Sequence, residues 1–191
     1  MIKESLKPAS SRGISLGFLE LMKTLNMFRK LLGSIKPTFK QYKDYDMRLL
    51  GPLYNIDIVR RGETSSANGN CSARGLAKLA AVMANQGTLG ELTLLTNKAW
   101  QALHSEATQA TIFGLMETNF TQGGVNKFEE EGGRDGYYGW FGYGGSVFQW
   151  HPDLNIGFGY TPALLHWEDV TNGIGRNLQQ EVVKCVQKLK K

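Results

Sequence analysis

FGYGGSVFQWHPDLNIGFGY, residues 141–160, is the stretch whose reading decides the fold. Apolar residues alternate with small or polar ones on both sides of HPDLN. That period of two, interrupted by a Pro-Asp-Asn turn sequence, is the pattern of a β-hairpin. Its glycines have two readings: bulges and bends that let neighbouring backbone approach closely, or the floor of a site where a ligand lies against the strand.

Working outward, ATIFGLMETNF (110–120) and the glycine-rich acidic run EEEGGRDG (129–136) continue the alternation of strands and turns, so a β-meander is expected from about residue 110. Downstream, a helix is expected from about Gly173, with Ile174, Leu178, Val182, Cys185, Val186 and Leu189 on one face. Lysines crowd its last turn, where the helix dipole favours cations.

Upstream, SANGNCSARGLAKLAAVMANQG reads as a turn through Asn68 and Gly69, an N-cap at Ser72, an apolar face of Leu76, Leu79, Ala80 and Met83, and a stop at Gly87. A second short helix starts at Thr96 and buries Trp100 and Leu103 against the first. A third, capped by Ser15 and ended by Gly33, carries Phe18, Leu21, Met22, Leu25, Phe28 and Leu32 at three- and four-residue steps. Residues 34–61 do not divide into elements on pattern alone. The expected class is α+β, an antiparallel sheet flanked by helices.

The chain has 191 residues, 41% of them hydrophobic and 20% charged, the usage of one folded domain or part of a larger one. The net charge of +5 is local: residues 1–61 hold 12 Lys/Arg against 5 Asp/Glu, and the remainder 10 against 12. Without zinc-ligand spacing, an RNP-like aromatic motif or a compact basic run, that excess does not point to nucleic acid. Binding to an anionic surface through residues 1–61 is the last-ranked reading. Cys71 and Cys185 form no Cys-x-x-Cys pair and read as free, partly buried thiols. No signal-peptide core and no membrane-spanning apolar run is evident, so a soluble protein of undetermined compartment is expected.

Three of these stretches together resemble the serine β-lactamase-related family, the penicillin-binding-protein-like hydrolases that include class C β-lactamases and related esterases. SANGNCSARGLAKLAAVMANQGTLGELTLL is similar to the family's Ser/Thr-Ala-Arg-Asp-Leu-Ala-Lys helix, its Asn-Gly-Gly-like stop and the next strand or turn, with Gly75 where the family usually has Asp. The 141–162 stretch is similar to its third-motif strand, turn and next strand, and the final helix to the one that packs on that sheet. The resemblance runs from about residue 64 to the C-terminus. It implies a partial β-lactamase/transpeptidase-like fold over 64–191, preceded by a basic, mostly helical segment over 1–63.

Chemistry in that family needs a serine at a helix start with a lysine one turn later, because positions i and i+3 share a helix face. None of the ten serines here is followed by lysine three positions on, and no Tyr-x-Asn occurs. No nucleophile or base is therefore assigned. Ser66 and Asn68 imitate Ser-x-Asn but lie directly before a capped helix and read as turn residues. Ser72 reads as a helix cap.

The third motif has a counterpart in Tyr143, Gly144, Gly145 and Ser146. By the resemblance these form a substrate wall, with the Ser146 backbone N–H facing a developing oxyanion. Tyr143 stands where the family has a basic or imidazole side chain. The hairpin is expected to lie exposed along a cleft.

Other chemistries are excluded by spelling. Gly142-x-Gly144 meets Val147 where a dinucleotide fingerprint needs glycine, and no Gly-x-Ser-x-Gly elbow occurs. His104, His151 and His166 lack metal-ligand spacing and read as exposed or hydrogen-bonded. Glu129, Glu130 and Glu131 read as a solvated loop.

The resulting expectation is the C-terminal portion of a β-lactamase-related serine hydrolase-like protein, inactive alone. Its family reaction would be acyl transfer to serine and hydrolysis of an ester, amide or lactam, without metal or cofactor. Its partners would be a small ligand of that type and a missing N-terminal half or a second copy. The alternative is a non-catalytic binding or scaffolding module derived from the same fold.

Overall fold

Ser72 holds extended backbone and its Oγ accepts the Gly75 N–H at 3.1 Å, satisfying one of the amides that a helix start leaves unpaired. In the computed structural model this cap begins one of the longer helices. The structure describes residues 56–63, 69–112, 116–129, 132–142, 144–163, 169 and 172–190. The helix expected over 15–33 lies outside them.

The described elements are helix α1 (Asp57–Arg60), helix α2 (Ala73–Ala84), a small hairpin of β1 (Thr88–Leu89) and β2 (Leu92–Thr93), helix α3 (Asn97–His104), strands β3 (Thr108–Ile112), β4 (Met116–Phe120), β5 (Asn126–Lys127), β6 (Tyr138–Phe141), β7 (Val147–His151) and β8 (Ile156–Tyr160), and helix α4 (Gly173–Leu189). Strands β3 to β8 form a six-stranded antiparallel sheet in chain order. This is the expected meander, and the class is α+β with helices beside an antiparallel sheet.

By backbone contacts the chain divides into two units: 1–71, 143–145 and 162–173 in one, and 72–142, 146–161 and 174–191 in the other. The second contains the sheet, α2, α3 and nearly all of α4. In the first, the described α1 is held on its own surface by ion pairs from Asp57 to Arg60 (2.6 Å) and Arg61 (2.7 Å).

The β7–β8 hairpin sets the two faces of the sheet. Register pairs run from Val147 with Tyr160 to His151 with Ile156, and the turn at 152–155 is closed by the Asn155 N–H on the Pro152 carbonyl at 3.1 Å. On β7, Phe148 and Trp150 point to one side, where Trp150 is packed with Ala80 and Ala84 of α2. Gln149 and His151 point to the other. There, Phe128, Tyr137 and Ile156 form a second core covered by Val182, Val183 and Val186 of α4.

Helix α2 comes unusually near the sheet because β8 presents glycines to it. An added Cβ on Gly157 would overlap the Ala81 backbone nitrogen, and one on Gly159 would stand 2.7 Å from the Ala73 carbonyl oxygen. Toward the sheet α2 accordingly buries the small residues Ala80 and Ala84, while Val82 is buried on another side of the helix and Leu79, expected inside, is 45% exposed.

Helix α4 also departs from its expected face. Leu178, Cys185 and Leu189 are exposed, while Gln179 is fully buried beside Val182, Val183 and Val186. The cause is polar: the Gln179 amide has two hydrogen-bond partners inside, Arg134 and Gln149. Both Cys71 and Cys185 are free, and both are exposed rather than partly buried.

Candidate functional site

The residues singled out in 141–160 fall at the turn between β6 and β7, one step before the strand. The Gly142 N–H donates to the Ser146 carbonyl at 2.7 Å and closes the loop. Gly144 and Gly145 hold φ of +88° and +113°, a region that a Cβ disfavours, so the turn needs glycine there. Both are buried and Ser146 is half-buried, whereas this end of the hairpin was expected to lie exposed. Tyr143 lies outside the described residues, as do Ser66, Asn68, His166, Glu130 and Glu131. In the first unit, Asp169 sits 3.9 Å from where a Gly145 Cβ would stand. Asp169 is itself buried, and its Oδ1 accepts the Gly173 N–H at 2.6 Å, at the start of α4.

Ser72 spends its hydroxyl on the helix cap, in agreement with its reading as structural. Glu129 is exposed and ion-paired with Lys127, which holds that lysine above its ordinary pKa.

Inside the sheet unit, two polar arrangements were not visible from sequence. The first is centred on Arg134, which is 1% exposed. Its guanidinium carbon lies 4.8 Å from the Phe141 ring centre and 5.5 Å from that of Phe128, and its Nε donates to Gln179 Oε1 at 3.0 Å. Gln179 in turn donates from Nε2 to Gln149 Oε1 at 2.6 Å. Arg134, Gln179 and Gln149 thus form a polar line through the core beneath α4. Beside it, the buried Tyr137 hydroxyl and the Gln149 Nε2 have no hydrogen-bond partner among the described residues. Burial pushes the Tyr137 phenol up to about 12, so it stays protonated.

The second arrangement is on the α2 side. Trp150 Nε1 donates to His104 Nε2 at 2.8 Å, and His104 Nδ1 lies 2.7 Å from the Trp100 carbonyl. Trp100 Nε1 donates to the Met83 carbonyl at 2.7 Å, which packs α3 on α2 as expected. Desolvation lowers the His104 pKa, with the Trp100 carbonyl acting in the opposite direction. His151 is lowered too, by desolvation first, with Asp153 opposing; its Nδ1 accepts the Leu154 N–H at 3.3 Å. Both are hydrogen-bonded histidines, one of the two readings expected for them.

A cleft of about 450 Å³ opens along β3, β4 and β5, lined by Gln109, Glu117, Asn119, Asn126, Lys127 and Glu129 among others. Nearby Trp140 is 36% exposed, but its ring is stacked on Phe120 at one centroid distance of 5.7 Å and on Phe141 at 5.6 Å. Among the described residues no group of three or more His, Cys, Asp or Glu could hold a metal ion, and no helix is long and apolar enough to cross a membrane. No family model, curated protein or solved structure matches this chain.

Proposed function

We propose that this chain carries the sheet-and-helix portion of a β-lactamase-related domain and by itself catalyses no acyl transfer. The observation that supports the reading is the adjacency of the resembling stretches: the SARGLAKLAAVMA helix lies on IGFGY through Gly157 and Gly159, and the final helix covers the opposite face. Ser72 is engaged as a cap, and the chain spells neither Ser-x-x-Lys nor Tyr-x-Asn. In this reading Tyr143, Gly144, Gly145 and Ser146 are what remains of a substrate wall for a small ester, amide or lactam.

The purified chain is expected to leave a chromogenic lactam and a short-chain p-nitrophenyl ester unhydrolysed above the buffer rate. Turnover that persists in a Ser72→Ala, Ser146→Ala double variant would overturn the reading, because it would require machinery outside this family's logic.

The non-catalytic module is the second reading, and the Arg134–Gln179–Gln149 line favours it. A buried, hydrogen-bonded arginine belongs to a core that closes on itself. It entails a monodisperse monomer with a cooperative melt, whereas a piece lacking its other half would aggregate or dimerise through bare apolar surface. Light scattering with a thermal melt separates the two.

A further inference from the structure

The hydrogen bonds at His104 fix its charge state by chemistry alone. An indole N–H can only donate, so His104 Nε2, 2.8 Å from Trp150 Nε1, must be the bare acceptor nitrogen. A carbonyl can only accept, so Nδ1, 2.7 Å from the Trp100 oxygen, must carry the hydrogen. The ring is therefore neutral in one tautomer, with neither nitrogen free. It is also the last residue of α3, the helix tied to α2 by the Trp100 indole.

We propose that the His104–Trp150 pair is an acid-release latch: protonation of His104 breaks the hydrogen bond to Trp150 and lets the C-terminal end of α3 leave the sheet. A proton added at Nε2 points at the Trp150 N–H, setting two donors against each other at hydrogen-bond distance. Trp150 is 1% exposed, so its N–H has no water to turn to while the helix stays in place. Relief comes from moving α3.

Among the described residues, no acidic group acts on the ring that would hold an imidazolium there instead. Tyr138 of β6 faces the ring at 4.7 Å, but burial keeps its phenol neutral throughout the acid range. Lys127, the charge that acts most on Tyr138, is paired with Glu129, and Asp153 acts on Tyr138 in the opposite direction. The Trp100 ring, 4.0 Å away, attracts a cation but supplies no acceptor for the new N–H. His151 differs: Asp153 acts on it to favour the charged form, with Lys190 opposing, so it is the internal comparison.

The test is a pH titration of the full chain labelled with ¹⁵N, following the Trp150 indole and the imidazole nitrogens. At pH 8 His104 should show protonated Nδ1 and bare Nε2. As pH falls, the Trp150 indole resonance should move with the same midpoint as His104, below 6.5, and its exchange protection should drop by up to about tenfold per pH unit between 6.5 and that midpoint, the slope of one linked proton, and level off below it. A His104→Gln variant, which keeps an acceptor for Trp150 and a donor for Trp100, should abolish the transition between pH 7.5 and 5. An unchanged transition in that variant would overturn the latch. Should the variant not fold, the wild-type spectra decide: the other tautomer at pH 8, or an indole signal that stays put while His104 titrates, overturns it equally.

Discussion

Taking a guanidinium out of water costs several kcal/mol, and Arg134 offsets this with two aromatic faces and a hydrogen bond to Gln179. Its removal would orphan Gln179 Oε1 and open a cavity between Phe128 and Phe141. Arg134→Ala should therefore destabilise the fold by roughly 3–5 kcal/mol, the range for breaking a buried charged network. Urea denaturation checks this, and a loss under about 1 kcal/mol would mean that the site refills or that the arginine swings to solvent. At this scale the sequence was legible where the signal is local. Ser72 and Thr96 cap their helices through the amides three residues on, a relation written in adjacent letters. Partners far apart in the chain were not legible: Trp150 finds His104 across 46 positions and Arg134 finds Gln179 across 45, and nothing local marks either pair.

Among elements, the glycines of 141–160 turn out to serve two purposes. Gly144 and Gly145 make a left-handed turn, whereas Gly157 and Gly159 clear the surface on which α2 rests. Alternation alone revealed the hairpin but could not say which glycine did which, because both uses delete the same Cβ. The same blindness misplaced the inner face of α4: a periodicity rule sorts by hydrophobicity, and Gln179 is inside because of its amide. Gly157→Ala should push α2 off β8 and cost about 1–3 kcal/mol or more, as overpacking does. Gly145→Ala should cost about 1 kcal/mol through strain, since its Cβ would meet nothing closer than 3.4 Å. Thermal melts of the two variants should rank them in that order, and the reverse order would contradict the close α2–β8 approach.

For the molecule as a titrating body, His104 and His151 act together. Both have folded pKa values below the unfolded value of 6.5, so between the two values the unfolded chain binds more protons. Stability is then full above about pH 7, falls as pH drops through 6.5 toward the folded values, and levels off below them as far as these groups are concerned. Urea midpoints measured from pH 7.5 to 5 should decline, and a midpoint that rises on acidification would contradict the neutral burial of both rings. The α+β class and the meander were readable at this scale because antiparallel strands in chain order leave a regular trace of alternation and turns. The assignment of a reaction was not, because it would rest on side chains that no single stretch of this sequence brings together.

The neighbour-to-neighbour order of the large sheet bears on how the polypeptide is made. Each strand from β3 to β8 finds its mate in the segment just synthesised, so pairing can advance hairpin by hairpin as the chain leaves the ribosome. The surface carrying Phe128, Tyr137 and Ile156 cannot be closed in that way, for its lid is the final helix. Until that helix emerges, the greasy side stands open, and a nascent chain stalled before Gly173 would offer it to chaperones.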